Sequence, residues 1–154
     1  MYKKILIATD GSEPARSALE HALLLASEQQ AEVQVIHVYE PLRHIAMQGM
    51  AELPRFLREE EEHALEHAAE RARALGVRAT TATVDAAGRR PADVIVAEAV
   101  ARGADLIAIG SRGRRGMQRM LLGSVAEGVA RSATVPVLMI RERADHSASE
   151  SRPT

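Results

Sequence analysis

The chain has no cysteine and no tryptophan, and aromatic residues make up only 2% of it. Without cysteine there can be no disulfide, no thiolate zinc site and no thiol nucleophile. So few rings argue against a stacking platform for single-stranded nucleic acid. No apolar run approaches the roughly 18 residues that a helix needs to cross a bilayer. The formal net charge is -1, so no global field draws the chain to nucleic acid or to an acidic membrane. The amino terminus enters an apolar run through Lys3-Lys4 without a signal-peptide pattern, which makes the cytoplasm the expected compartment. What is left is an ordinary globular composition, 46% hydrophobic and 27% charged over 154 residues. That is enough for one domain with its own core.

The apolar pattern alternates between short β-type runs and helical periods. Lys4 to Thr9 reads as a buried parallel strand, ended by Asp10-Gly11-Ser12. Ser12 is the expected N-cap of a helix to about Gln29, with Pro14 in its first turn. Val33 to Tyr39 is a second strand, and 40–53 a mobile loop or lid. A helix from Pro54 to Leu75 stops at Gly76, and Val77 to Val84 is a more polar strand suited to a sheet edge. Pro91 opens a helix to about Arg102, and Leu106 to Ile109 is the fourth strand. A helix from Ser124 to about Ser132 and a fifth strand, Val135 to Ile140, complete the pattern. The polar stretch 142–154 reads as a disordered tail. Strands alternating with helices predict an α/β fold, a single open, doubly wound parallel five-stranded sheet of Rossmann-like type.

The most informative stretch is Gly110 to Ser124, GSRGRRGMQRMLLGS, between the fourth strand and a helix. Glycines at 110, 113, 116 and 123 let backbone N–H groups approach an anion closely and tolerate positive φ. A helix starting at Ser124 adds free donors and the positive end of its dipole. Arg112, Arg114, Arg115 and Arg119 add positive charge, so the stretch reads as a phosphate cradle. In a sheet ordered 3-2-1-4-5, ligands bind where the order reverses, between the first and fourth strands. There Ala8-Thr9-Asp10 would face Ile109-Gly110 across one crevice. Asp10 then has two open readings, a ligand acceptor or a helper in capping the first helix.

The spacing G-x2-G-x9-G-S resembles the ATP-binding signature of the universal stress protein family. The similarity covers residues 1 to 141 and includes Lys3 to Ser12, His37-Val38, Leu106 to Gly113, Leu122 to Val125 and Val135 to Leu138. It implies the adenine nucleotide alpha hydrolase-like fold and ATP, with Mg²⁺ held between its phosphates, as the cofactor. Asp10 would hold the ribose or adenine side, the Val38 backbone would read the adenine edge, and Ala8 and Thr9 would line the base pocket. Gly110, Arg112, Gly113, Gly123, Ser124 and Val125 would hold ribose and phosphates, with Ile109 beside them at the strand end. With Asp10 at the base end and no general base beside the phosphates, any hydrolysis is expected to be slow. The resemblance also implies a homodimer through Val135 to Ile140. Gly88-Arg89-Arg90-Pro91 is one residue longer than the family's usual turn near the adenine.

Rival chemistries fare less well. His63-Ala64-Leu65-Glu66-His67 matches the string of inverted zinc proteases, but Glu59 to Glu62 and Arg71 mark a solvated face. Walker, nucleophile-elbow and dinucleotide patterns are absent. His37, inside an apolar strand, reads as a satisfied core histidine. The alternatives that stay open are a partner-binding stress protein that needs no nucleotide, a slow ATPase, and a cyclic AMP binder.

Overall fold

The computed structural model describes residues 1–40, 53–113 and 122–141. The segment 41–52, the loop residues 114–121 with Arg114, Arg115, Gly116 and Arg119, and the tail lie outside them.

Five strands form one parallel sheet: β1 (Lys4–Ala8), β2 (Glu32–Tyr39), β3 (Ala79–Asp85), β4 (Leu106–Gly110) and β5 (Val137–Ile140). Its order is β3-β2-β1-β4-β5, as expected from the sequence. The helices among the described residues are α1 (Glu13–Gln29), α2 (Leu53–Ala74), α3 (Pro91–Arg102) and α4 (Ser124–Ser132). The alternation of side chains in β1 explains why both faces are covered. Ile5 and Ile7 point to one side, where they pack with Val33 and Val35 beneath Leu19 and Leu23 of α1 and Ala68 and Ala72 of α2. Leu6 and Ala8 point to the other, with Ile36, Ile107 and Ile109 beneath Ile95 of α3 and Val129 of α4. Complete burial of these strand residues is worth roughly 1.5–3 kcal/mol for each Leu, Ile or Val side chain. A polar substitution at Ile7 or Ile107 would therefore be among the most damaging in the chain.

Element ends follow local chemistry. Ser12 caps α1, its Oγ accepting the Ala15 N–H at 3.3 Å. Gly76 and Gly103 terminate α2 and α3 with φ of 68° and 67°. Two strands start later than the apolar runs suggest. The Val77 N–H turns back to the Ala72 carbonyl at 2.9 Å, so Val77 completes the stop of α2 and β3 begins at Ala79. Pro136 has no N–H to give, so it only offers its carbonyl to Ile107, and β5 begins at Val137. β3 lies at an edge, as its polar alternation predicts, and β5 forms the other edge with all four residues half-buried.

Candidate functional site

β1 and β4 are neighbours, yet the chain leaves β1 toward α1 on one face and β4 toward α4 on the other. Their carboxyl ends therefore open a crevice at the point where the order reverses. Ala8 pairs with Ile109 there, and both side chains belong to the core beneath α3. Thr9 carries the ladder one step further by donating its N–H to Ile36.

The β1 wall is a tightly bonded turn. The Thr9 hydroxyl accepts the Gly11 N–H at 3.2 Å, and Asp10 Oδ1 accepts the Ser12 N–H at 2.9 Å. Gly11 turns the chain with φ of 76°, a left-handed conformation that glycine adopts without strain. Asp10 Oδ2 faces the glycine stretch so closely that a Cβ on Gly113 would stand 2.8 Å from it. The reading of Asp10 as a helper at the start of α1 thus rests on Oδ1. One oxygen braces the turn and the other reaches the loop.

On the β4 wall the glycines are needed for close approach. None of Gly110, Gly113 and Gly123 has a positive φ. A Cβ on Gly110 would lie 2.7 Å from the Pro14 carbonyl carbon and 2.8 Å from the Ala15 nitrogen, both backbone atoms of α1. Gly110 therefore lets the end of β4 pack on the first turn of α1. Gly123 fits against Ser111 and Arg112, and its N–H donates to the Ser111 carbonyl at 2.7 Å. Ser111, which is buried, also donates its N–H to Ile140. The two limbs of the loop are thereby pinned together at their base. Gly123 is also the N-cap of α4 and places no side chain over the helix end. The first backbone donors of α4, at Ser124 and Val125, belong to the set that a helix cannot satisfy internally. An anion suits such an end.

Val38 is half-buried on β2, two residues beyond the Ile36 carbonyl that receives the Thr9 N–H. The structure thus brings Ala8, Thr9, Asp10, Val38, Ile109, Gly110, Arg112, Gly113, Gly123, Ser124 and Val125 to one end of the sheet.

Sequence reasoning missed a pair beside this crevice. His37 is buried, with Nδ1 3.0 Å from the Thr9 carbonyl and Nε2 3.0 Å from Glu61 Oε1 of α2. The second contact is at ion-pair distance but off the hydrogen-bond line. Burial pulls the imidazole pKa down, but Glu61, the Thr9 carbonyl and the Asp10 charge outweigh it, and the net shift is upward. Glu61 therefore corrects the reading of 59–62 as a uniformly solvated face. Arg71 stays partly exposed and grips Glu20 of α1 through two hydrogen bonds of 2.7 and 2.9 Å. A signal was available. Glu61 falls at helical spacing from Leu57, Ala64, Leu65 and Ala68, which places it on the apolar stripe. His63 and His67 are exposed, and no three potential ligands gather as a metal site among the described residues.

Known proteins resemble the chain closely. Residues 1–141 match the model of the Universal stress protein family. Universal stress protein MJ0531 of Methanocaldococcus jannaschii is 39% identical over 145 residues, covering 92% of this chain and 84% of that relative. The solved structure of hypothetical protein MJ0577, from the same organism, superposes with a TM-score of 0.78 at 32% identity, over 93% of this chain and 98% of the other. A universal stress protein in complex with cAMP gives 0.66 at 27% identity, over 91% and 97% of the two chains. The Archaeoglobus fulgidus universal stress protein in complex with dAMP gives 0.66 at 27%, over 90% and 98%. Likeness of this extent, along nearly the whole of both sequences, establishes that the chain belongs to the universal stress protein family.

Proposed function

We propose that the chain binds ATP in the crevice between β1 and β4 and acts as a nucleotide sensor in the stress response. The observation that carries this reading is the meeting of Asp10, Gly113 and the side-chain-free N-terminus of α4 at the switch point of the sheet. The crevice combines an acceptor for a ribose or base with backbone donors for phosphate. That combination suits a nucleotide better than a sugar or a bare anion. The cAMP and dAMP held by related proteins support an adenine base. In this reading Asp10 takes the ribose or base side, with the Val38 backbone, Ala8 and Thr9 around the adenine. Gly110, Arg112, Gly113, Gly123, Ser124 and Val125 surround ribose and phosphates, and Mg²⁺ neutralises phosphate charge with little protein coordination.

Asp10 Oδ1 is already engaged by the turn, which suits a fixed acceptor more than a proton shuttle. Turnover is accordingly slow, and vigorous steady-state hydrolysis by the pure protein would overturn that part of the reading. The protein pairs through residues 135–140 into a homodimer, supported by the half-buried edge strand β5. Light scattering at micromolar concentration checks it, and a monomer would refute it. Its setting is the cytoplasm; no described helix is long and apolar enough to cross a membrane.

The deciding experiment denatures freshly purified protein and assays the supernatant for nucleotide, with Gly113→Asp beside it. The substituted side chain would start against the Asp10 carboxylate and add a second negative charge where phosphate approaches. Near-stoichiometric ATP from the wild type and none from the folded variant is the expected result. Release of cAMP would keep the site and change the ligand. Absence of nucleotide, with no heat on adding Mg-ATP, would favour a partner-binding protein instead.

A further inference from the structure

His37 continues the face of β2 that carries Val33 and Val35, so its ring lies at the end of the core beneath α1 and α2. The Thr9 carbonyl can only accept, which fixes the proton of a neutral ring on Nδ1. Nε2 would then hold only a lone pair beside the Glu61 carboxylate, 3.0 Å away, where like electron density repels. A second proton on the ring reverses the sign and makes the contact an imidazolium–carboxylate pair. Both side chains are largely shielded, at 10% and 14% exposure, so water does little to screen either state. Among the described residues, the charges acting on the ring are those of Glu61 from α2 and of Asp10 after β1, both acidic. Thr83, its register neighbour on β3, carries none.

We propose that His37 and Glu61 form a proton-dependent clasp joining α2 to the Thr9–Asp10 wall, and that its protonation sets how tightly the crevice holds nucleotide. His37 acts as a positioning residue. Its ring grips the carbonyl next to Asp10, so a change at Glu61 is felt one residue from the ribose or base acceptor. The second half of the proposal rests on the nucleotide reading above. The upward shift of the imidazole gives the direction: the clasp is complete below the ordinary histidine value of 6.5 and is lost as pH rises through the raised value.

The test uses the full chain and two substitutions. His37→Asn keeps a donor near the Thr9 carbonyl but cannot titrate. Glu61→Gln offers an amide N–H to Nε2 and so holds a neutral ring. NMR titration of the imidazole without nucleotide should put wild-type His37 above 6.5, and in Glu61→Gln below the wild-type value. Calorimetry with Mg-ATP from pH 6 to 9 should show wild-type affinity falling by about five-fold, which is about 1 kcal/mol. Both variants should lack that fall. Titration of the nucleotide phosphates is common to all three proteins and cancels in the comparison. A wild-type imidazole at or below 6.5 overturns the clasp, and identical pH slopes in all three proteins overturn its link to binding. If Mg-ATP fails to bind at any pH, the link falls with the nucleotide reading, while the clasp stands or falls on the imidazole titration.

Discussion

The two walls of the crevice are built on opposite plans. The β1 wall is braced by side chains: His37 on the Thr9 carbonyl, Thr9 on Gly11, Asp10 on Ser12. Among the described residues, the β4 wall is braced through backbone, by Ser111 to Ile140 and Gly123 to Ser111, with glycines where a Cβ would intrude. Side-chain bracing holds an acceptor in a fixed place. Backbone bracing without side chains leaves donors open to a ligand. The proposed nucleotide site, with a base or ribose at one end and phosphates at the other, would need both.

Substitutions can break this contrast in a defined order of severity. The largest effect is expected from Gly110→Ala, because the new methyl meets α1 backbone, which cannot rotate away. It should cost about 3 kcal/mol in urea unfolding, the upper range for overpacking. Gly123→Ala has its nearest atoms at 3.3 Å and should cost less than about 1 kcal/mol. Equal losses would mean that the β4 wall does not depend on the packing of α1.

On the other wall, Asp10→Ala strips the acceptor from the Ser12 N–H and should cost about 1 kcal/mol. Asp10→Asn keeps that acceptor, so its stability should stay near wild type while Mg-ATP affinity falls about ten-fold, equivalent to about 1.4 kcal/mol. Unchanged affinity in the asparagine variant would remove Asp10 from the binding wall and leave it a turn residue. Ser12→Ala removes the cap of α1 and should cost about 0.5–1 kcal/mol by the same assay, with no change in affinity beyond the lost stability.

The smallest effect is expected away from the crevice, at Glu20→Gln. Arg71, chiefly by hydrogen bonding, holds the Glu20 carboxyl below its ordinary value of 4.5. The contribution is therefore full above that value and fades as pH falls through the lowered one. Melting temperatures of wild type and variant should differ slightly at pH 7 and converge in acid. A gap that persists at low pH would show that packing, and not charge, carries the pair.

Much of the fold was legible because its signals are local. Ser12 before Glu13-Pro14, Gly76 and Gly103 after their helices, and unbroken apolar runs at 5–8 and 106–109 each carry their meaning within a few residues. The Val77 and Pro136 boundaries were misjudged because both residues suit a strand in composition, and hydrogen bonding to distant carbonyls decides otherwise. Glu61 was misjudged because a run of four glutamates looks solvated until helical spacing assigns one of them to the buried stripe.

The sequence by itself determined the alternation of strands and helices, the helix ends and the glycine spacing that marks one end of the sheet. These depend on periodicity, caps and turns, which are properties of neighbouring residues. Only the tertiary structure decided that Gly110 is shaped by Pro14 and Ala15, that Asp10 meets Gly113, and that His37 and Glu61 approach to 3.0 Å. Residues so far apart in the chain meet only once the parallel sheet has closed and α1 and α2 have packed on it. Which atoms then come within 3 Å follows from register and packing, and no local pattern encodes it.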